Sequence, residues 1–102
     1  LPDYEEISKF PEVRRDLAVI VNRETPSAAV LDIARVSAGA ALADARIFDV
    51  YEGHGVADDA KSLAIGLTFR HQSRTLTDEE ITESLSQVIE SLREKLGATL
   101  RH

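Results

Sequence analysis

Between Lys61 and Arg70 the side chains alternate without a break. Leu63, Ile65, Leu67 and Phe69 are large and apolar, whereas Ser62, Ala64, Gly66 and Thr68 are small. A period of two sustained over this length is the pattern of a β-strand whose one face lies against a hydrophobic layer. The clearest cover for that layer follows directly. Thr77 and Glu80 have the spacing of a capping box, and Leu76 with Ile81 that of a hydrophobic staple. Ile81, Leu85, Val88, Leu92 and Leu96 then recur at helical spacing, with acids in the first turn, Arg93 and Lys95 in the last, and Gly97 as the stop.

The remaining elements follow from the same two periods. Residues 1–13 carry two prolines and little periodicity, and they read as an entry arm with Ile7, Phe10 and Val13 available for packing. Arg14 to Val21 is a strand with apolar residues in both alternating sets, as expected at the centre of a sheet. Thr25-Pro26 opens a first helix, with Thr25 as the capping residue, Pro26 at the first helical position and Gly39 as the stop. Val30, Ile33, Ala34 and Ser37, flanked by Leu31, form its inner stripe. A further strand runs from about Ala45 to Glu52; Phe48 and Val50 are assigned inward, because the opposite parity would bury Asp49. Gly53 to Ala60 is a loop, and Ala98 to Arg101 supplies a short last strand.

The order β-α-β-β-α-β makes an α+β sandwich with both helices on one face of a four-stranded antiparallel sheet. In a split arrangement the first and third strands are central. The other sheet face is then open and lined by Ala18, Ile20, Ala64, Gly66 and Thr68.

Composition limits what such a face can do. The chain has 102 residues and no Cys, so disulfide, thiolate and Cys-ligated metal chemistry are excluded. No apolar run approaches the roughly 20 residues of a membrane-spanning helix. The net charge of −6 argues against a freestanding nucleic-acid binder, which ordinarily draws its affinity from phosphate neutralisation. Yet no acid occurs between Ala60 and Thr77, where Lys61, Arg70, His71 and Arg74 fall. That basic window is a candidate anion-facing edge. His54 and His71 lack ligand or triad spacing, and Asp58-Asp59 reads as a solvated turn. Gly53 and Gly55 lack the strand–turn–helix context of a nucleotide loop, and no nucleophile elbow is present. Nothing assigns catalysis to this chain. The open-face positions on the central strands are small or aliphatic, which disfavours base stacking in the manner of an RRM.

Five blocks in order, ISKFPEVRRDLAVIV, FDVYEG, KSLAIGLTFR, RTLTDEEI and LGATLR, resemble the ferredoxin-fold anticodon-binding domain found at the C-terminus of the bacterial phenylalanyl-tRNA synthetase β subunit. The resemblance runs over about residues 4–101. It implies a ferredoxin-like fold, a single domain excised from a longer cytoplasmic chain, and recognition of the anticodon stem-loop of tRNA(Phe). It further implies an α2β2 parent in which the α subunit catalyses phenylalanine activation and transfer, so that ATP and magnesium serve the parent and no cofactor or metal belongs to this domain. The candidate RNA-binding residues matching the family blocks are Arg14, Arg15, Lys61, Ser62, Arg70 and Arg74, with Phe48 and Tyr51 as stacking candidates. Where the family commonly has Gly-Lys-Lys-Ser, this chain has Asp59-Ala60-Lys61-Ser62, one lysine poorer. Two rivals use the same fold: a protein- or small-ligand-docking module, and an enzyme such as an acylphosphatase, whose anion cradle is missing from the sequence.

Overall fold

The computed structural model describes residues 10–71 and 73–101; Ile7 and most of the entry arm lie outside them. The elements are β1 (Val13–Asn22), α1 (Ser27–Ala38), a 3₁₀ turn (Gly39–Ala41), β2 (Leu42–Tyr51), β3 (Ala60–Phe69), α2 (Asp78–Leu96) and β4 (Thr99–Leu100). The sheet order is β2-β3-β1-β4, and each neighbouring pair is antiparallel. This is the ferredoxin-like α+β arrangement, with β1 and β3 central.

The alternation of β3 sets the core. Leu63, Ile65, Leu67 and Phe69 are wholly buried, and they meet Val30 and Ala34 of α1 and Ile81, Val88 and Leu92 of α2. Val19 and Val21 of β1 fall on the same side. Burying each such side chain contributes roughly 1.5–3 kcal/mol, so this layer dominates the fold's stability. The two helices also pack on each other, and Ser84 donates across that contact from Oγ to the Ala38 carbonyl at 2.7 Å.

The ends of α2 match their sequence signals. Thr77 Oγ1 accepts from the Glu80 N–H at 3.2 Å, and the Glu80 carboxylate accepts from the Thr77 N–H at 3.1 Å. Gly97 closes the helix in the left-handed region at φ 66°. The start of α1 differs from expectation. Pro26, not Thr25, occupies the N-cap, and no side chain caps it. The turn before it is held instead by Asn22, whose Oδ1 accepts the Glu24 N–H at 2.8 Å, while Asn22 O accepts the Thr25 N–H at 3.0 Å.

The second correction concerns β2. It begins at Leu42, and its register against β3 slips twice, between Leu42 and Asp44 and between Ile47 and Asp49. Phe48 is the extra residue of the second bulge. Ala45 and Ile47 therefore face the core, and Phe48 is turned out at 51% exposure. Val50 returns to the helix side opposite Leu63, yet half of it stays exposed. A bulge lets both Phe48 and Asp49 avoid the core, an option absent from a strict alternation.

Candidate nucleic-acid interface

The sheet face opposite the helices is built in rows across the strands. Tyr51, Ser62 and Ile20 form one row, Asp49, Ala64 and Ala18 the next, and Arg46, Gly66 and Asp16 the third. The central floor is thus low and small, with aromatic and charged side chains on the outer strand and at the strand ends.

Two arginine–aromatic stacks stand on this floor. The Arg14 guanidinium carbon lies 5.3 Å from the Phe48 ring centre, and that of Arg101 lies 5.0 Å from the Tyr51 ring centre. Arg101 follows β4, where its N–H donates to the Ala18 carbonyl at 2.8 Å. Its side chain therefore reaches over both central strands to meet Tyr51. The Tyr51 hydroxyl donates to the His54 carbonyl at 2.8 Å, which fixes the ring against its own loop.

Carboxylates accompany the cations of this face. Arg14 Nε donates to Asp16 at 2.9 Å, Arg46 Nε to Asp44 at 2.8 Å, and Arg70 Nη1 to Glu12 at 2.7 Å. Exposed pairs of this kind are worth about 0–1 kcal/mol, so an incoming anion can compete for the arginine.

The candidate residues do not form one cluster. Arg14, Phe48, Tyr51 and Ser62 share the open face, and Arg70 continues β3 at its far end beside Glu12. Ser62 is buried in the floor. Arg15 and Lys61 have the opposite parity, aligned with Leu67 and Val21 on the helix side. Arg74 is held by Glu80 through two hydrogen bonds at 2.5 and 2.6 Å. That contact raises the Arg74 pKa and pulls the Glu80 carboxyl from 4.5 to about 2, chiefly through the hydrogen bond and secondarily through the Thr77 backbone. Lys61 and Arg70 stand at opposite ends of a ten-residue strand, so the basic window is dispersed over separate surfaces. His71 accepts the Ser73 N–H through Nδ1 at 3.0 Å.

Sequence reasoning missed Arg46 and Arg101. Arg46 comes onto the face opposite Gly66, because the bulge between Ile47 and Asp49 breaks the single parity that puts it inward with Phe48 and Val50. Arg101 carried a usable signal: it lies two residues beyond Thr99, on the same parity of the closing segment.

A model of the ferredoxin-fold anticodon binding domain family matches residues 8–101. Proteins named phenylalanine–tRNA ligase beta subunit are similar across 99% of the chain: that of Pseudomonas fluorescens (strain Pf0-1) is 50% identical, that of Pseudomonas putida (strain KT2440) 52%, and that of Moorella thermoacetica 45%. The chain spans 13% of the length of these curated relatives. Fold, open face and extent of the match agree: the chain belongs to the ferredoxin-fold anticodon-binding domain family.

Proposed function

We propose that this chain is the tRNA anticodon-binding module of a phenylalanine–tRNA ligase β subunit, and that its open sheet face receives the anticodon loop of tRNA(Phe). The observation that carries the placement is the Tyr51–Arg101 stack above a floor of Ala18, Ile20, Ser62 and Ala64. Single-stranded loop bases splay out of the A-form stem, stack on aromatic rings or guanidinium planes, and present their edges for hydrogen bonding. A small floor leaves room for a flat base, which can stack on the outer face of the Arg101 guanidinium or take the place of Arg101 on the Tyr51 ring. Ser62, in the same row as Tyr51, and Asp49, in the next, are the hydrogen-bonding groups nearest to a base held there.

The module is non-catalytic. In the parent, an α2β2 cytoplasmic enzyme, ATP and magnesium serve phenylalanine activation on the α subunit, and this domain raises tRNA affinity and specificity. Arg14, Arg70, Arg46 and Phe48 supplement the base site, whereas Arg74, held at the start of α2, and Arg15 and Lys61, on the helix side, take lesser parts.

A titration with a hairpin RNA carrying the phenylalanine anticodon, against one with a scrambled loop, tests the reading. The cognate hairpin should bind more tightly. Tyr51→Ala should remove about 1–3 kcal/mol of that binding, the usual worth of a base stacked on an aromatic ring. Equal binding of both hairpins reduces the interaction to charge attraction. No binding of either at low salt favours docking of the face against another protein domain.

A further inference from the structure

At the end of the open face away from Tyr51 lies a hollow of about 280 Å³, walled by Glu12, Arg14, Asp44, Arg46, Thr68 and Arg70. Its floor is Gly66, and the Arg14 guanidinium lies so close above it that a Cβ there would come within 2.9 Å of Nη2. Arg14 thereby lies over Gly66 and against the Phe48 ring, which holds its cation at the hollow.

The arginines of the hollow differ from Arg74 in how they are held. Arg74 forms a two-point fork with Glu80. Arg14, Arg46 and Arg70 each meet their carboxylate through a single hydrogen bond. Their partners Asp16, Asp44 and Glu12 have side chains between 44% and 56% exposed. A phosphate offers guanidinium two parallel bonds, a stronger and shorter arrangement than one neutralised by water-exposed carboxylate. The carboxylates also cancel the field of the hollow, so a free anion is not drawn in from solution.

We propose that this hollow is a second RNA subsite, taking a backbone phosphate of the same strand whose base is read at Tyr51 and Arg101, with the arginines exchanging carboxylate for phosphate as it arrives. This rests on the anticodon-loop reading above. Arg46 and Tyr51 pair with Gly66 and Ser62, four residues apart on β3. That is about 13 Å of strand, or about four stacked nucleotides at roughly 3.4 Å each. Once a base docks, the tethered phosphate meets the hollow intramolecularly, at an effective concentration on the order of millimolar without any free phosphate in solution. The carboxylates then act as specificity elements: a loop that does not dock its base meets only a neutral, partly repulsive surface.

The test uses the 102-residue chain, the cognate hairpin and the scrambled hairpin, each titrated across salt. Arg46→Gln should weaken the cognate hairpin and lower its salt slope by about 0.7–0.9, so that the loss is about threefold greater at 50 mM than at 200 mM salt. Asp44→Asn should tighten RNA binding and steepen the slope, with the larger relative gain for the scrambled hairpin, because the barrier to an undocked strand is removed. Asp44→Asn/Arg46→Gln should keep the lowered slope. Tyr51→Ala should act on the cognate-to-scrambled ratio instead. If the wild-type chain discriminates normally while Arg46→Gln leaves affinity and slope unchanged, or Asp44→Asn weakens binding, the hollow is not a phosphate site although the base site stands. If the wild-type chain binds neither hairpin at low salt, the anticodon-loop reading fails and the subsite falls with it.

Discussion

Gly66 shows how one missing side chain organises a surface. A residue with a Cβ at this place in β3 would meet the Arg14 guanidinium first, the far end of a flexible chain. Gly66→Ala should therefore fold, and the strand itself should gain from losing a glycine, by roughly 0.5–1 kcal/mol. Against this stands the Arg14–Phe48 stack, worth about 0.5–1 kcal/mol at an exposed site. The two nearly cancel, so thermal stability should shift little, while the ring-current displacement of the Arg14 side-chain protons over Phe48 disappears from the NMR spectrum. A retained ring-current shift would show that the guanidinium does not need the glycine. None of this was legible in the sequence. The alternation of β3 identified Gly66 as an open-face residue, but the position of Arg14 over it follows from cross-strand register, and the outward turn of Phe48 follows from a bulge.

At the scale of elements, the helix ends obey local chemistry and were read correctly where that chemistry is local. The capping box of α2 needs only Thr77 and Glu80 in their spacing. The cap of α1 failed because Asn22 formed the turn instead and Pro26 took the boundary position. The dispersal of Lys61, Arg70 and Arg74 has two physical causes: a strand's length separates the first two, and α2's first turn claims the third through Glu80. A basic run in sequence is a patch in space only when parity and partners permit.

The same contact gives a pH prediction. Glu80 sits at about 2 in the folded chain, against an ordinary 4.5, so its ionised form favours folding. That stabilisation is fully present above 4.5 and is lost as pH falls toward 2. Glu80→Gln keeps an oxygen for the Thr77 N–H but removes the charge that holds Arg74. The variant should melt below wild type at pH 6, and the gap should narrow as pH falls from 4.5 through 2. A constant gap across that range would mean that the pairing with Arg74 adds nothing to the cap. For the sheet, Leu67→Ala on the core side should cost about 2–5 kcal/mol in chemical denaturation. Phe48→Ala should cost under about 1 kcal/mol, the scale of an exposed cation–π contact. If Phe48→Ala proved as costly as Leu67→Ala, the outward orientation given to β2 at the bulge would be wrong.

For the whole molecule, the decisive quantity is charge. A chain of net charge −6 in which Arg14, Arg46 and Arg70 already carry carboxylate partners starts with little of the phosphate attraction that gives ordinary RNA binders their affinity. On the proposed reading, its contribution comes from base contacts made after delivery, with the rest of the enzyme holding the tRNA nearby. The 102-residue chain alone should accordingly bind the cognate hairpin no tighter than the roughly 10⁻⁴–10⁻⁶ M typical of weak, largely electrostatic association. In the proposed parent the same contacts would be intramolecular, and linkage of this kind raises avidity by about 10²–10⁴. Removing the domain from the parent, or replacing Tyr51 with Ala within it, should raise the tRNA KM. Phenylalanine-dependent ATP–pyrophosphate exchange without tRNA should stay at the wild-type rate, because the proposed function assigns catalysis to another subunit. Nanomolar binding by the isolated chain would contradict the argument from charge. A loss of exchange activity in the Tyr51→Ala parent would contradict the separation of tRNA recognition from catalysis, since that side chain lies on the sheet face opposite the core cluster.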